Sequence, residues 1–251
     1  QTLSAWRAAL YAPDSLVIAA SGAVNEDELL ALAERDFGGA VGEGAALPTP
    51  ATFAGGTRTT SKSLEQANLV FLLPAVGVRD EAYFALRLYA EILGGGMASR
   101  LFQEAREKRG LAYAVDAYSE TYADTGVLGI FAGCAAKDAA ELARVAAGEV
   151  QGMASRIEPA ELSRAKAQLK ASMFMAREQP LSRSEQAAAQ VLLFGATLPT
   201  AELAQQIDAV TVQDIIALGE QILDPRRAAV SVLGPKSALK AADAFQNALF
   251  A

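Results

Sequence analysis

The sequence has no histidine and a single cysteine, Cys134, so several kinds of catalytic site are excluded from this chain. Serine or cysteine nucleophiles that depend on a histidine base cannot be assembled, and neither can a zinc site with histidine or paired cysteine ligands. Cys134 lies in the apolar run GVLGIFAGC, where a small buried thiol is expected. We therefore expect no catalytic residue and no metal ligand within this chain alone. Its chemistry must depend on carboxylates, arginine, lysine and tyrosine.

The groups able to bind a substrate are concentrated between Leu93 and Gly133, in the stretch LGGGMASRLFQEAREKRGLAYAVDAYSETYADTGVLGIFAG. Glu104, Arg106 and Glu107 fall on one predicted helix, and Tyr113 follows in the next predicted strand. The pattern alone favours a structural interpretation, in which Arg106 pairs with a neighbouring glutamate and Tyr113 packs on the apolar face of its strand. Substrate binding is the alternative, because a guanidinium and a phenol hydroxyl can donate hydrogen bonds to a carbonyl oxygen.

Composition and motifs exclude three other classes of function. The formal charge is −7 and the sequence pI is near 4.8, whereas nucleic-acid binding depends on clustered lysine and arginine. The glycines Gly94–Gly96 follow a predicted helix without a Lys-Ser or Lys-Thr after them, so they do not match a phosphate-binding loop. The longest apolar runs, such as NLVFLLPAVGV, are far shorter than the roughly 20 residues that cross a bilayer. We expect no nucleic acid, no nucleotide and no membrane span.

The elements that would position these groups are helices interleaved with strands. A predicted helix at about Ser99–Arg109 ends at Gly110, which suits the left-handed stop of a helix. Strands at about Leu111–Ser119 and Val127–Cys134 form a hairpin, which requires antiparallel pairing. The sequence therefore predicts an α+β fold, with a mixed, largely antiparallel sheet and helices packed on one face. The other predicted elements are strands at Leu16–Ala20, Asn68–Leu73 and Ala228–Leu233, and helices at Glu26–Phe37, Asp80–Leu93, Asp138–Met153, Pro159–Gln179, Ser182–Phe194, Val212–Leu223 and Ser237–Leu249.

A change of composition after the helix at Glu26–Phe37 predicts a domain boundary. The stretch GGAVGEGAALPTPATFAGG is rich in glycine, alanine, proline and threonine, which is typical of a linker. We predict that residues 1–45 are the terminal strand and helix of a preceding unit, that residues 46–56 are the linker, and that residues 57–251 form a second domain. The chain starts with neither a methionine nor a signal-like segment, so we expect it to be part of a longer protein.

The two ends of the chain resemble each other. Both read as a helix, a proline, a short apolar strand and a glycine, and Pro13 and Gly22 are each 212 residues before their counterparts Pro225 and Gly234. One interpretation is coincidence between two ordinary units. The other is a duplication of units of roughly 200 residues, in which case the chain holds the tail of one unit and the whole of the next.

The segment Ser99–Tyr113, SRLFQEAREKRGLAY, resembles the pitrilysin-like, or insulinase-like, zinc metallopeptidases, the family of insulin-degrading enzyme and the mitochondrial processing peptidase. The likeness lies in the Ser-Arg-Leu and Arg-Glu-Lys-Arg-Gly-Leu-Ala-Tyr pattern and extends more weakly to the VSVLG close of the chain. Enzymes of this family are built from duplicated α+β units, and the first unit carries the inverted zinc motif His-x-x-Glu-His. Because that motif is absent here, the resemblance implies the C-terminal, zinc-free half.

The resemblance also implies a role for two residues. In the family's zinc-free unit, an arginine and a tyrosine seven residues apart hold the peptide at the zinc site of the other unit, and Arg106 and Tyr113 stand at this spacing. We expect this chain to close a substrate chamber against a zinc-bearing half and to contribute Arg106 and Tyr113 to peptide binding. Alone, it should have no proteolytic activity.

Several alternatives stay open. The zinc-bearing unit could lie in the same polypeptide or on a separate subunit of a heterodimer. The chain could instead be a purely structural or binding subunit of the same family, or a small-molecule-binding α+β domain unrelated to proteolysis. The alanine-rich composition suggests a bacterial protein, and the resemblance is compatible with a periplasmic or cell-envelope location.

Overall fold

A computed structural model of the chain describes residues 2–11, 16–39 and 49–251. The chain divides into two compact units, one formed by Gln1–Thr49 with Lys170–Leu203 and the other by Pro50–Leu169 with Ala204–Ala251. None of the helices in the described ranges combines the length and hydrophobicity needed to cross a bilayer.

The larger unit is built on a five-stranded sheet in the order β1-β5-β2-β4-β3. β1 pairs with β5 in parallel, and the other neighbours are antiparallel. The predicted mixed, largely antiparallel sheet is therefore confirmed, and the predicted hairpin is β3 and β4. The strands are β1 (Gly56–Ser61), β2 (Ala67–Ala75), β3 (Ala114–Thr121), β4 (Gly126–Cys134) and β5 (Ala229–Gly234).

In the larger unit, helices pack against the sheet, and the buried side chains of both form the core. Side chains alternate between the two faces of a strand, and in β2 the buried set is Ala67, Leu69, Phe71 and Leu73. The Phe71 ring stacks on Phe245 with a centroid separation of 4.0 Å, which joins the sheet to the last helix. The helices of the described residues are α1 (Thr2–Leu10), α2 (Glu26–Phe37), α3 (Tyr83–Gly94), α4 (Ala139–Met153), α5 (Pro159–Ala176), α6 (Pro180–Phe194), α7 (Thr200–Ala209), α8 (Val212–Leu223) and α9 (Ala241–Leu249), with a π-helix at Phe102–Lys108 and a 3₁₀ helix at Lys236–Lys240.

The smaller unit confirms one predicted element and contradicts another. α2 begins after Asn25, whose side chain accepts a hydrogen bond from the Glu28 N–H at 3.1 Å, as expected of a helix N-cap. Leu16–Ala20 is not the predicted buried strand, because it has no strand partner among the described residues and both Leu16 and Ile18 are exposed. An apolar run becomes a strand only where another strand completes its hydrogen bonds.

The predicted domain boundaries stay predictions. Residues 46–48 of the predicted linker, and Pro13 of the predicted repeat, lie outside the described residues. Residue 56, at the end of that linker, already belongs to β1.

Two elements, β1 and α7, were not predicted, and one helix that was predicted as a single segment is two helices in the structure. β1 is an edge strand with all six residues, GTRTTS, exposed, so it lacks the apolar alternation that reveals a strand. α7 was also missed. The helix predicted at the end of the chain is divided into the 3₁₀ helix and α9.

Candidate functional site

Arg106 lies on a π-helix, Phe102–Lys108, rather than on the predicted α-helix. The helix is anchored by Leu101 and Ala105, which are both fully buried. A π-helix closes each hydrogen bond over one more residue than an α-helix does, and such turns are rare and frequent at functional sites. Nothing in the spacing of apolar residues distinguishes the two kinds of helix here, so the sequence could not predict this one.

The chain reverses at Gly110, between Arg106 and Tyr113. Gly110 has a φ of +63°, the left-handed conformation expected of a glycine helix stop. Its N–H donates to the Arg106 carbonyl at 3.1 Å, and the Leu111 N–H donates to the Ala105 carbonyl at 2.8 Å. The predicted stop is confirmed, and it fixes the backbone that leads from Arg106 to Tyr113.

The Arg106 guanidinium is exposed and rests on an aromatic ring. Its central carbon lies 4.7 Å from the centroid of the Phe102 ring, one helical turn earlier, within the range of a cation–π interaction. No ion pair of the described residues involves Arg106. The pairing of Arg106 with a neighbouring glutamate, favoured by the pattern alone, is therefore not found.

The nearby glutamate charge is compensated by other cations. Glu104 accepts hydrogen bonds from Lys108 at 2.9 Å and from two nitrogens of Arg109 at 2.9 and 3.0 Å. These hydrogen bonds, from Lys108 first and then Arg109, lower the pKa of Glu104. Arg109 also bonds Glu141 of α4 at 3.2 Å. The network attaches the end of the π-helix to α4 and leaves the positive charge of Arg106 available.

Tyr113 is the last residue before β3, not inside the strand as predicted. Its N–H donates to the Gly133 carbonyl of β4 at 2.8 Å, so its backbone is already held by the sheet. Its side chain is 62% exposed, whereas Val115 is buried. The predicted packing of Tyr113 on the apolar face is therefore not found. Within the described residues, the Tyr113 hydroxyl also makes no hydrogen bond. By contrast, the exposed Tyr122 donates its hydroxyl to Glu120 at 2.8 Å.

Sequence reasoning missed two supports of this site. Phe102 beneath Arg106 has a recognisable signal, because residues four apart on a helix are neighbours. The other is an ion pair between Arg100 and Glu161, residues 61 positions apart in the sequence, which no local pattern reveals.

The described residues do not fit a zinc site. The sequence contains no histidine, and no three Cys, Asp or Glu side chains of the described ranges are grouped as metal ligands. Cys134 is buried, and burial, with a smaller contribution from Asp138, raises the pKa of its thiol to about 11. A thiol must lose its proton to bind a metal, so Cys134 is unsuited to that role.

Comparison with known proteins finds a family and several relatives. Residues 1–169 match the family described as "Peptidase M16 inactive domain". The chain is 33% identical over 226 residues to an "Uncharacterized zinc protease" of Rickettsia felis, covering 90% of this chain and 55% of that protein. A zinc protease so named in Mycobacterium tuberculosis is 34% identical over 232 residues, covering 90% and 53%. The chain thus spans about half the length of the curated relatives it matches.

Solved structures share this fold. A chain in "Complex III2 from Candida albicans, Inz-5 bound" superposes with a TM-score of 0.77 at 21% identity, covering 90% of this chain and 56% of that one. A conserved protein from Enterococcus faecalis has a TM-score of 0.73 at 25% identity, covering 85% and 50%.

Proposed function

Because the chain belongs to the peptidase M16 family, matching the inactive domain of that family, we propose that it is the zinc-free half of a peptide-hydrolysing enzyme. In this proposal it closes the substrate chamber against a zinc-bearing half, on the same polypeptide or on another subunit. Arg106 and Tyr113 hold the peptide backbone at the zinc site of that other half.

The observation that carries this proposal is the availability of the two side chains. The Arg106 guanidinium has an aromatic ring beneath it but no carboxylate partner among the described residues, and the Tyr113 hydroxyl is exposed. A side chain that only stabilised the fold would be expected to bury its body or to satisfy its polar atoms within the protein. Here the polar ends of both side chains are available to a ligand.

The chemistry of the two groups suits a peptide. The guanidinium and the phenol are both hydrogen-bond donors, and a peptide presents carbonyl oxygens as acceptors. During hydrolysis one of these oxygens gains negative charge, and donors held in position stabilise it without reorganising. The bound zinc of the other half would supply the polarising charge, while this chain orients the substrate.

The fixed backbone around the site supports the same function. Gly110 sets the reversal, the Gly133 carbonyl fixes the backbone of Tyr113, and the Glu104–Arg109 pair holds the end of the π-helix. Catalytic donors are effective only when their positions are set before the substrate arrives.

The test is to remove the Tyr113 hydroxyl alone. In the enzyme assembled with its zinc-bearing half, Tyr113→Phe should lower kcat/KM on a fluorogenic peptide by about 100-fold, the usual cost of a lost oxyanion donor. Tyr122→Phe is the matched control, since Tyr122 is 57% exposed but its hydroxyl binds Glu120; it should leave the rate unchanged. Equal rates for wild type and Tyr113→Phe would favour a purely structural or binding subunit.

A further inference from the structure

A half-buried ion pair lies at the start of the helix that carries Arg106. Arg100 Nε donates to Glu161 Oε1 at 2.8 Å, and Arg100 Nη2 donates to Glu161 Oε2 at 2.7 Å. Each side chain is 17% exposed, which distinguishes this pair from the more exposed ion pairs of the described residues. A two-bond, fork-to-fork arrangement of arginine and carboxylate fixes orientation as well as distance.

Arg100 and Glu161 are held by the backbone as well. Arg100 Nη2 also donates to the Arg156 carbonyl at 2.7 Å, and Glu161 Oε2 accepts from the Glu158 N–H at 2.9 Å. These bonds thus connect the start of the Arg106 helix to the first turn of α5 and to the segment that precedes α5. The hydrogen bond to Glu161 raises the pKa of Arg100.

The position of Arg100 matters because of the helix that follows. Arg100 and Leu101 are the two helical residues that lead directly into the π-helix, Phe102–Lys108. A π-helix differs from an α-helix by one accommodated residue, and one residue of an α-helix is a rotation of about 100°. If the start of the π-helix were released and the segment reverted to an α-helix, its side chains would turn by up to about 100° and Arg106 would point in another direction.

We propose that Arg100 and Glu161 are positioning residues, which hold the start of the π-helix so that Arg106 faces the peptide. The inference rests on the proposed role of Arg106 in peptide binding. Neither Arg100 nor Glu161 contacts the substrate in this proposal. They act only through the direction of the Arg106 guanidinium.

The experiment is a double-mutant cycle in the enzyme assembled with its zinc-bearing half. Arg100→Gln should lower kcat/KM on a fluorogenic peptide by about 10- to 100-fold, the cost of misplacing a positioning group by about an ångström, and mainly through kcat. In an Arg106→Ala background the same Arg100→Gln change should cost less than about twofold, because the group that it positions is already gone.

A milder variant and a control allow the double-mutant cycle to be interpreted even if Arg100→Gln does not fold. Arg100→Lys keeps the charge but cannot form the two-bond fork, so it should show a smaller loss with the same dependence on Arg106, and it replaces Arg100→Gln if that variant does not fold. Arg35→Gln is the control, because the Arg35 side chain is 68% exposed and pairs with its neighbour Asp36, outside this network; its rate should equal wild type.

Each outcome separates the positioning role from the proposed function. An equal loss from the Arg100 variant in both backgrounds would show general structural damage and overturn the positioning role. A normal rate for the Arg100 variant, with a reduced rate for Arg106→Ala, would overturn the positioning role alone. A normal rate for Arg106→Ala would overturn the proposed function and the positioning role together.

Discussion

The guanidinium carbon of Arg106 lies 4.7 Å from the centroid of the Phe102 ring, and the two residues are four apart on one helix. A ring face attracts a cation without neutralising it, so Arg106 is held by a neighbour that does not compete with an anionic or carbonyl ligand. A carboxylate neighbour would neutralise the guanidinium charge and would compete with a ligand for its hydrogen bonds. This availability of the guanidinium is one reason that we propose a substrate-binding role for Arg106.

Replacing Phe102 with leucine should weaken the site without removing the charge. An exposed cation–π contact contributes about 0.5–1 kcal/mol, so kcat/KM of the assembled enzyme should fall about two- to fivefold. Tyr83→Leu is the control: the Tyr83 ring centroid lies 5.9 Å from the guanidinium carbon of Arg87, four residues later, and its hydroxyl also accepts a hydrogen bond from Arg87 at 3.0 Å. The control should leave peptide turnover unchanged, and an equal loss in both variants would contradict a specific role for the Phe102 ring.

Replacing Gly110 with alanine should destabilise the chain through backbone strain alone. A Cβ at Gly110 would meet no atom within 4 Å, but the φ there is +63°, which costs a residue with a side chain about 1–2 kcal/mol. Gly148 also has no neighbour within 4 Å but lies inside α4, so Gly148→Ala should stabilise by about 0.5–1 kcal/mol. Urea unfolding measures both free energies. A stability of Gly110→Ala equal to wild type would show that this reversal is not as rigid as described.

The Arg100–Glu161 pair predicts a pH dependence of stability. Burial favours a higher pKa for Glu161, but hydrogen bonds from Arg100 and from the Glu158 N–H outweigh it and lower the pKa. Because the unfolded chain then binds this proton more readily than the folded chain, the stabilisation is present above the ordinary glutamate pKa of about 4.3 and is lost as the pH falls through the lowered one.

The comparison that isolates this effect is wild type against Glu161→Gln, which cannot ionise. The difference in unfolding free energy should be about 2 kcal/mol at pH 7, within the usual range for a hydrogen bond to a charged partner, and should narrow below about pH 4. A difference that stays constant from pH 7 to pH 3 would mean that the charge of Glu161 does not contribute.

The chain by itself should not retain zinc. It has no histidine, and its one cysteine is buried with a pKa raised to about 11; a zinc site needs deprotonated thiolates, neutral histidines or carboxylates. After dialysis against zinc and then against buffer, metal analysis should find less than about 0.1 zinc per chain, well below the one-to-one binding of a true site. One zinc per chain would contradict the assignment of zinc to another unit.

The parts of this fold that could be predicted are those with local signals. The N-cap Asn25 and the helix stop Gly110 are each recognisable from one or two residues, and both are found in the structure. The buried strands β2 and β4 were predicted because their apolar runs are long enough to be recognised as strands in the sequence. The π-helix and β1 were not, since a change of helix type leaves the apolar spacing intact and an exposed edge strand has no apolar face.

The role of the candidate site residues stays a prediction, and the contacts that support these residues were not predicted. Arg106 and Tyr113 follow from the family resemblance, whereas the pattern alone favoured an ion pair for Arg106 that the structure does not contain. Arg100 and Glu161 meet across 61 residues, a contact that depends on the packing of two helices and therefore has no signature in either segment.

The most direct test of the central claim compares two exposed helical arginines, each close to an aromatic ring four residues earlier. In the assembled enzyme, Arg106→Ala should lower kcat/KM on a fluorogenic peptide by about 100-fold, because it removes a charged donor to the substrate. The melting temperature should fall by only a few degrees, from the loss of one exposed cation–π contact. Arg87→Ala also removes an exposed helical arginine from an aromatic ring, and its rate should equal wild type. A rate for Arg106→Ala within about twofold of wild type would contradict the assignment of Arg106 to peptide binding.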